Sequence, residues 1–131
     1  GDANAEPEER MSADFQPLFE RIRALFAVHE GRCVKLCDEP GRYYLGSKEV
    51  REKDGYRTAF GGVEIKKNYV SAHVMPVYVH PELLDGISAQ LRKRMQGKQC
   101  FNFRKLDEPL IVELGALIDR GTERFAADGR L

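Results

Sequence analysis

Chemically capable residues recur at a spacing of two in one short tract: Tyr69, Ser71, His73 and Met75 alternate with Val70, Ala72 and Val74. That period belongs to a β-strand, whose successive side chains point to opposite faces. One face is therefore apolar, and the other carries a phenol, a hydroxyl, an imidazole and a thioether. An imidazole in that setting titrates near neutral pH, and mixed aromatic and polar surfaces line many small-molecule sites. With Tyr44 and Lys66 at its rim, this face is the candidate ligand-binding surface. Tyr43, Tyr44, Tyr69 and Tyr78 come from neighbouring strand regions and suggest a tyrosine-lined cleft.

The same residues do not assemble a catalytic set. Ser71 and His73 share a face, roughly 6.6 Å apart in backbone rise. No nucleophile turn and no orienting acid accompanies them, so a triad is not supported. The spacing favours a non-enzymatic binding module for a small molecule or a protein partner over an enzyme. A Cys/His metal site would have to gather Cys33, Cys37, Cys100, His29, His73 and His80, and no pair among them has zinc-ligand spacing. No metal ligand is assigned. Three cysteines is an odd number and argues against a disulfide framework. On a strand Cys33 and Cys37 would share a face but lie roughly 13 Å apart, beyond the ~7 Å reach of a bridge. The expectation is reduced thiols in a cytoplasmic protein.

Charge is distributed unevenly. The chain holds 21 Lys+Arg against 21 Asp+Glu, a formal net charge of zero, so no global field recruits nucleic acid or an acidic membrane. Locally, residues 86–106 contain Arg92, Lys93, Arg94, Lys98, Arg104 and Lys105 and no acid. Phe101 and Phe103 interleave with them, a pattern shared with nucleic-acid surfaces. Phe101 and Phe103, however, share a strand face suited to the core, and consecutive Arg92, Lys93 and Arg94 wind around a helix. A solvated basic surface built on Arg92, Lys93, Lys98 and Arg104 is the simpler reading, with nucleic-acid binding an alternative. The first 30 residues hold seven acids against three Arg, a net of −4. Such complementary patches, or an open sheet edge, offer routes to a homo-oligomer.

The elements that must position these residues follow from periodicity. A chain of 131 residues with 42% apolar and 32% charged content is that of one globular domain. No apolar run approaches the ~20 residues that cross a bilayer, and the N-terminal layout is not that of a signal peptide. Residues 1–11 are expected to be disordered, 12–126 to form the domain and 127–131 to fray. Phe15, Leu18, Phe19, Ile22, Leu25 and Phe26 form one helical stripe, with Asp14 as N-cap, Pro17 in the first turn and Gly31 as the stop. Cys33 to Cys37 and Tyr43 to Gly46 read as a hairpin, and Ser47 to Gly55 as a charged loop. Tyr56 to Lys66 reads as a strand interrupted by Gly61 and Gly62, whose pairing signals a bulge, a bend or a close approach. Lys67 and Asn68 turn the chain into Tyr69 to Met75, with Asn68 able to take a positive φ. A short helical turn at Pro81 to Gly86 and a helix from Ser88 to Gly97 precede a strand at Cys100 to Phe103. A last helix opens at Asp107, with Leu110, Ile111, Leu114, Leu117, Ile118 and Phe125 as its apolar stripe. The order α-β-β-β-β-α-α-β-α predicts an α+β two-layer sandwich. Its sheet is largely antiparallel, of about five strands, with the N- and C-terminal helices on one face.

One tract is more specific than its periodicity requires. It runs from Ile65 through Lys66-Lys67-Asn68-Tyr69-Val70-Ser71-Ala72-His73-Val74-Met75-Pro76-Val77-Tyr78. It continues by Pro81, Leu83, Leu84, Gly86, Ile87 and Ser88 to Arg94-Met95-Gln96-Gly97-Lys98 and Cys100-Phe101-Asn102-Phe103. It resembles the YdhG-like family of small bacterial proteins, largely known as a domain of unknown function, and the resemblance covers roughly residues 12–126. It implies a compact α+β domain. Some members of the wider family are described as frataxin-like iron chaperones, so it also implies iron as an alternative ligand, held by an acidic ridge on the first helix. Here that helix carries Asp14, Glu20 and Glu30 with Arg21 and Arg23 between them, and no iron ligand is assigned at any position.

Overall fold

Buried runs on the central strands and two long apolar stripes on helices determine how this chain layers. A computed structural model describes residues 7–131, with side chains from Asp14 onward. Most of the stretch expected to be disordered, and the side chains of Glu6, Glu8 and Glu9, lie outside the described residues. The elements are α1 (Pro7–Ala27), β1 (Val34–Glu39), β2 (Arg42–Val50), β3 (Arg57–Ile65), β4 (Val70–Val74), α2 (Met75–Val79), α3 (Ala89–Arg92), β5 (Met95–Gln96), β6 (Cys100–Phe103) and α4 (Glu108–Ala127). The strands form one six-stranded sheet in the order β1-β2-β3-β4-β6-β5, with every pairing antiparallel. The fold is thus α+β with α1 and α4 as its long helices, and the sheet has one strand more than the periodicity suggested.

Directly paired residues of an antiparallel sheet project to the same side. Tyr43, Val63, Ala72 and Phe101 form one such row, and Ile65, Val70 and Phe103 belong to another. All of these except the partly buried Ile65 are buried. Helix α1 lies across β3 and β4 and packs beside α4, closing this face. Phe60 of β3 holds both helices: its ring stands edge-on to Phe26 of α1 at 6.3 Å and to Phe125 of α4 at 6.2 Å. Each fully buried aromatic side chain of this kind contributes about 1.5–3 kcal/mol of burial.

Several boundaries differ from the periodic reading. Helix α1 extends upstream of Asp14, which is therefore not its N-cap, and Pro17 lies inside the helix rather than in its first turn. There Pro17 cannot donate to the carbonyl four residues earlier. The charged run from Ser47 continues β2 to Val50: Ser47 is buried, its carbonyl accepts from Arg57 Nη1 at 2.8 Å, and Val50 pairs with Arg57 of β3. The helix read from Ser88 to Gly97 is one turn long. Ser88 caps it by accepting from Leu91 N at 3.0 Å, but Met95 and Gln96 leave it to pair with Phe101 and Cys100 as β5. Met75 begins α2 and packs against the core, so it does not continue the polar face of β4. Asn68 has no positive φ; the turn closes by Lys66 N donating to Tyr69 O at 2.8 Å. The C-terminal residues, expected to fray, are tied to β2: Lys48 N donates to Arg130 O at 2.9 Å, and Arg130 pairs with Glu49.

Candidate functional site

The opposite side of the sheet carries no long helix, and its residues are read off the register. Cys37 pairs with Tyr44, Tyr44 with Gly62, Gly62 with His73, His73 with Cys100 and Cys100 with Gln96. This row crosses all six strands. The neighbouring row on the same face is Arg42, Glu64, Ser71 and Asn102. The helix-free face therefore collects two thiols, a phenol, an imidazole, a hydroxyl, an ion pair and two carboxamides.

Glycine explains how the centre is built. At Gly61 a Cβ would meet Phe26 Cε1 at 2.8 Å on the helix side. At Gly62 it would meet Tyr44 Cδ1 at 2.6 Å on the open side. The paired glycines are close approaches of two aromatic rings, one to each face of β3. With no side chain at Gly62, the Tyr44 ring lies over the strand and reaches 5.7 Å from the His73 ring, centroid to centroid.

The polar groups then lock one another. Tyr44 Oη donates to Glu64 Oε1 at 3.0 Å, Lys66 Nζ pairs with Glu64 Oε2 at 2.7 Å, and Arg42 Nε reaches Glu64 Oε1 at 3.2 Å. Burial opposes ionisation of Glu64. The hydrogen bonds from Lys66 and Tyr44, with the Lys66 and Arg42 charges, outweigh it and hold the carboxyl below its usual range. Tyr44 is pushed up by burial and by the bond to Glu64. Cys100 Sγ lies 3.2 Å from His73 Nδ1. Burial lowers His73, assisted by the Lys66 charge and opposed by Glu64. Burial raises Cys100 against the opposing charge of Lys66. At neutral pH these directions leave a thiol beside a neutral imidazole, joined by one hydrogen bond between Sγ and Nδ1. His73 Nε2 is buried and has no hydrogen-bond partner among the described residues, and the same holds for Asn102 Oδ1 in the next row.

Of the residues singled out from the sequence, Tyr44, Lys66, Ser71 and His73 meet on this face. Ser71 is buried between Glu64 and Asn102. Tyr69 lies towards the β5 edge, in a groove of about 520 Å³ with Lys93, Arg94, Gln96, Asn102 and Arg104. Tyr78 is elsewhere, exposed on α2 under Lys98, and Tyr43 is buried beneath helix α1, where Arg23 lies 4.2 Å above its ring. The four tyrosines do not ring one cleft. The basic stretch also divides. Arg92 and Lys98 belong with Tyr78 to a groove of about 550 Å³ on the α2 side, whereas Lys93 and Arg104 face the β5 edge. Neither Glu64 nor Asn102 stood out in the sequence as a site residue, and Cys100 was not assigned to the site. The alternation that put His73 on the polar face puts Glu64 there too, one row away. A bulge between Lys35 and Cys37 reverses the strand's parity, so Cys33 packs on the core while Cys37 sits beside Tyr44. All three cysteines are free.

No family model, no curated protein and no solved structure matches the chain. Among the described residues no group of three or more His, Cys, Asp or Glu is placed to hold a metal ion, and no helix is long and apolar enough to cross a membrane.

Proposed function

We propose that this protein is a non-enzymatic binding module whose helix-free sheet face takes a small polar molecule at Tyr44, Lys66, Ser71 and His73. The observation that carries the reading is the pair of unpartnered buried atoms, His73 Nε2 and Asn102 Oδ1, in adjacent rows of that face. A buried polar group without a partner costs about 1–3 kcal/mol, so a molecule that supplies hydrogen-bonding groups to both atoms gains by binding here. The state of Cys100 favours binding over catalysis. Burial raises the thiol and lowers His73, the reverse of what a thiolate–imidazolium nucleophile needs. A cytoplasmic setting, which keeps thiols reduced, and membership of the YdhG-like family belong to the same proposal.

A thermal-shift screen of small polar compounds tests it. Compounds that raise the melting temperature of the wild-type chain should lose that effect in His73→Ala and Tyr44→Ala. Hits that stabilise all three proteins equally would overturn the site. Dimerisation that either substitution abolishes, with no small-molecule hit, would instead make the face a protein interface.

A further inference from the structure

Lys93, Arg94 and Arg104 form a ridge shared by two adjoining grooves at the β5 edge, of about 520 and 610 Å³. Lys93 follows α3, Arg104 follows β6, and Arg94 is fixed beside β6 because its carbonyl accepts from Asn102 N at 2.8 Å. None of the three takes part in an ion pair among the described residues. On one side of the ridge stand Tyr69 and the carboxamides of Gln96 and Asn102. Asn102 Nδ2 donates to Gln96 Oε1 at 2.6 Å. That bond uses the Gln96 oxygen and leaves its NH2 as a donor, while Asn102 Oδ1 remains an acceptor without a partner. The other groove has Phe103 and Leu110 in its lining.

Each part selects a different part of one ligand. Three cations outside any ion pair among the described residues attract a phosphate, with Lys105 adding to them and Asp107 the acid in the lining of the second groove. A tyrosine at a groove wall offers a stacking platform for a planar heterocycle. The NH2 of Gln96, left free by its bond with Asn102, offers a donor to the acceptors on the edge a nucleobase presents when it is not base-paired. We infer that this groove binds a nucleotide unit, with its phosphate on the ridge of Lys93, Arg94 and Arg104 and its base over Tyr69. The inference rests on the reading of the helix-free face as a binding surface and gives the ligand class at its β5 end. The unit can be a free mononucleotide or one residue of a single strand, in which case the Phe103 and Leu110 groove takes the next nucleotide.

The test is a titration of the full chain, followed by amide chemical shifts, with uridine monophosphate, adenosine monophosphate, inorganic phosphate and a short poly-U RNA. Both mononucleotides should shift Tyr69, Gln96, Asn102 and Arg104, and phosphate alone should bind at least about tenfold more weakly, having no base to stack. Tyr69→Ala should weaken binding by about tenfold or more, whereas Tyr69→Phe should retain it. Arg104→Gln should reduce the slope of log affinity against log salt by about one for the RNA. RNA binding at least about tenfold tighter than uridine monophosphate identifies a strand as the source, and equal affinity a free nucleotide. Absence of shifts with both mononucleotides and the RNA, or binding indifferent to Tyr69→Ala and Arg104→Gln, overturns the inference. If screened compounds still shift Tyr44 and His73 in that case, the broader binding reading survives; if they too leave the face unmoved, both fail.

Discussion

The ring of Tyr44 occupies the space that a side chain at Gly62 would need. A Cβ at that position would come within 2.6 Å of Tyr44 Cδ1 and would press into the carbonyl oxygen of Tyr43. Gly62 thereby sets the reach of Tyr44 across β3 and its 5.7 Å approach to His73. Gly62→Ala should destabilise the fold by roughly 1–3 kcal/mol, read from urea or guanidinium unfolding. Adding Tyr44→Ala should recover only part of the loss, because the Tyr43 carbonyl remains. Complete recovery would show that the ring alone stands in the way.

Two glycines of α4 should respond in opposite directions. A Cβ at Gly115 would meet Leu25 Cδ2 at 3.0 Å, the far end of a flexible side chain. At Gly121 it would meet Pro76 Cβ at 2.7 Å, part of a ring that cannot rotate aside. Replacing a helical glycine by alanine gains about 1 kcal/mol of propensity. Gly115→Ala should therefore equal or exceed the wild type in stability, and Gly121→Ala should fall below it by roughly 1–2 kcal/mol. Equal effects in the two variants would contradict the packing of α2 and α1 on α4.

Thiol chemistry should be slow. Burial pushes Cys33 up to about 11 and raises Cys100 as well. In mildly alkaline buffer the thiolate fraction of Cys33 should lie on the order of a hundredfold below that of a free thiol. Alkylation followed by peptide mass spectrometry should show both sites lagging in the folded protein and catching up in urea. Rapid folded-state modification of Cys33 would refute its burial.

Acid should loosen the links between distant segments. The Asp38 carboxyl is held below its ordinary range by hydrogen bonds from Arg23 of α1 and from Lys35. That of Asp128 is held down by the bond from His80 Nε2, 2.6 Å long. A carboxyl depressed in the folded state binds fewer protons there than in the unfolded chain. Its stabilisation is complete above the ordinary carboxylate range and disappears as pH falls through the depressed folded values, below about pH 4. Urea midpoints should drop across that interval, and the drop should be shallower in an Asp38→Asn, Asp128→Asn double variant. An unchanged slope would remove these carboxylates from the acid response.

How far the sequence discloses this arrangement depends on the range of the interaction. The stripes from Phe15 to Phe26 and from Leu110 to Phe125 and the alternation through Val70, Ala72 and Val74 are local, and both long helices and β4 follow from them. The side of the sheet on which His73 falls was legible for the same reason. Its partner was not, because Cys100 reaches His73 only through the β4–β6 pairing, which links residues 27 apart. Strand β5 is two residues long and has no period to detect. The separation of Lys93 from Arg92 depends on α3 ending after one turn, a consequence of Met95 and Gln96 pairing with β6 rather than of any helix-breaking residue between them. Pro17 misleads in the other direction, since a proline suggests a helix start where the chain has already been helical.

The central claim is that the helix-free face of the sheet is the binding surface. The most direct measurement is an amide shift map of the labelled protein with each compound that raises its melting temperature. The account predicts shifts concentrated at Tyr44, Glu64, Lys66, Ser71, His73, Cys100 and Asn102, with the outer surfaces of α1 and α4 unmoved. Shifts confined to those helices, with the row from Tyr44 to Cys100 silent, would contradict it.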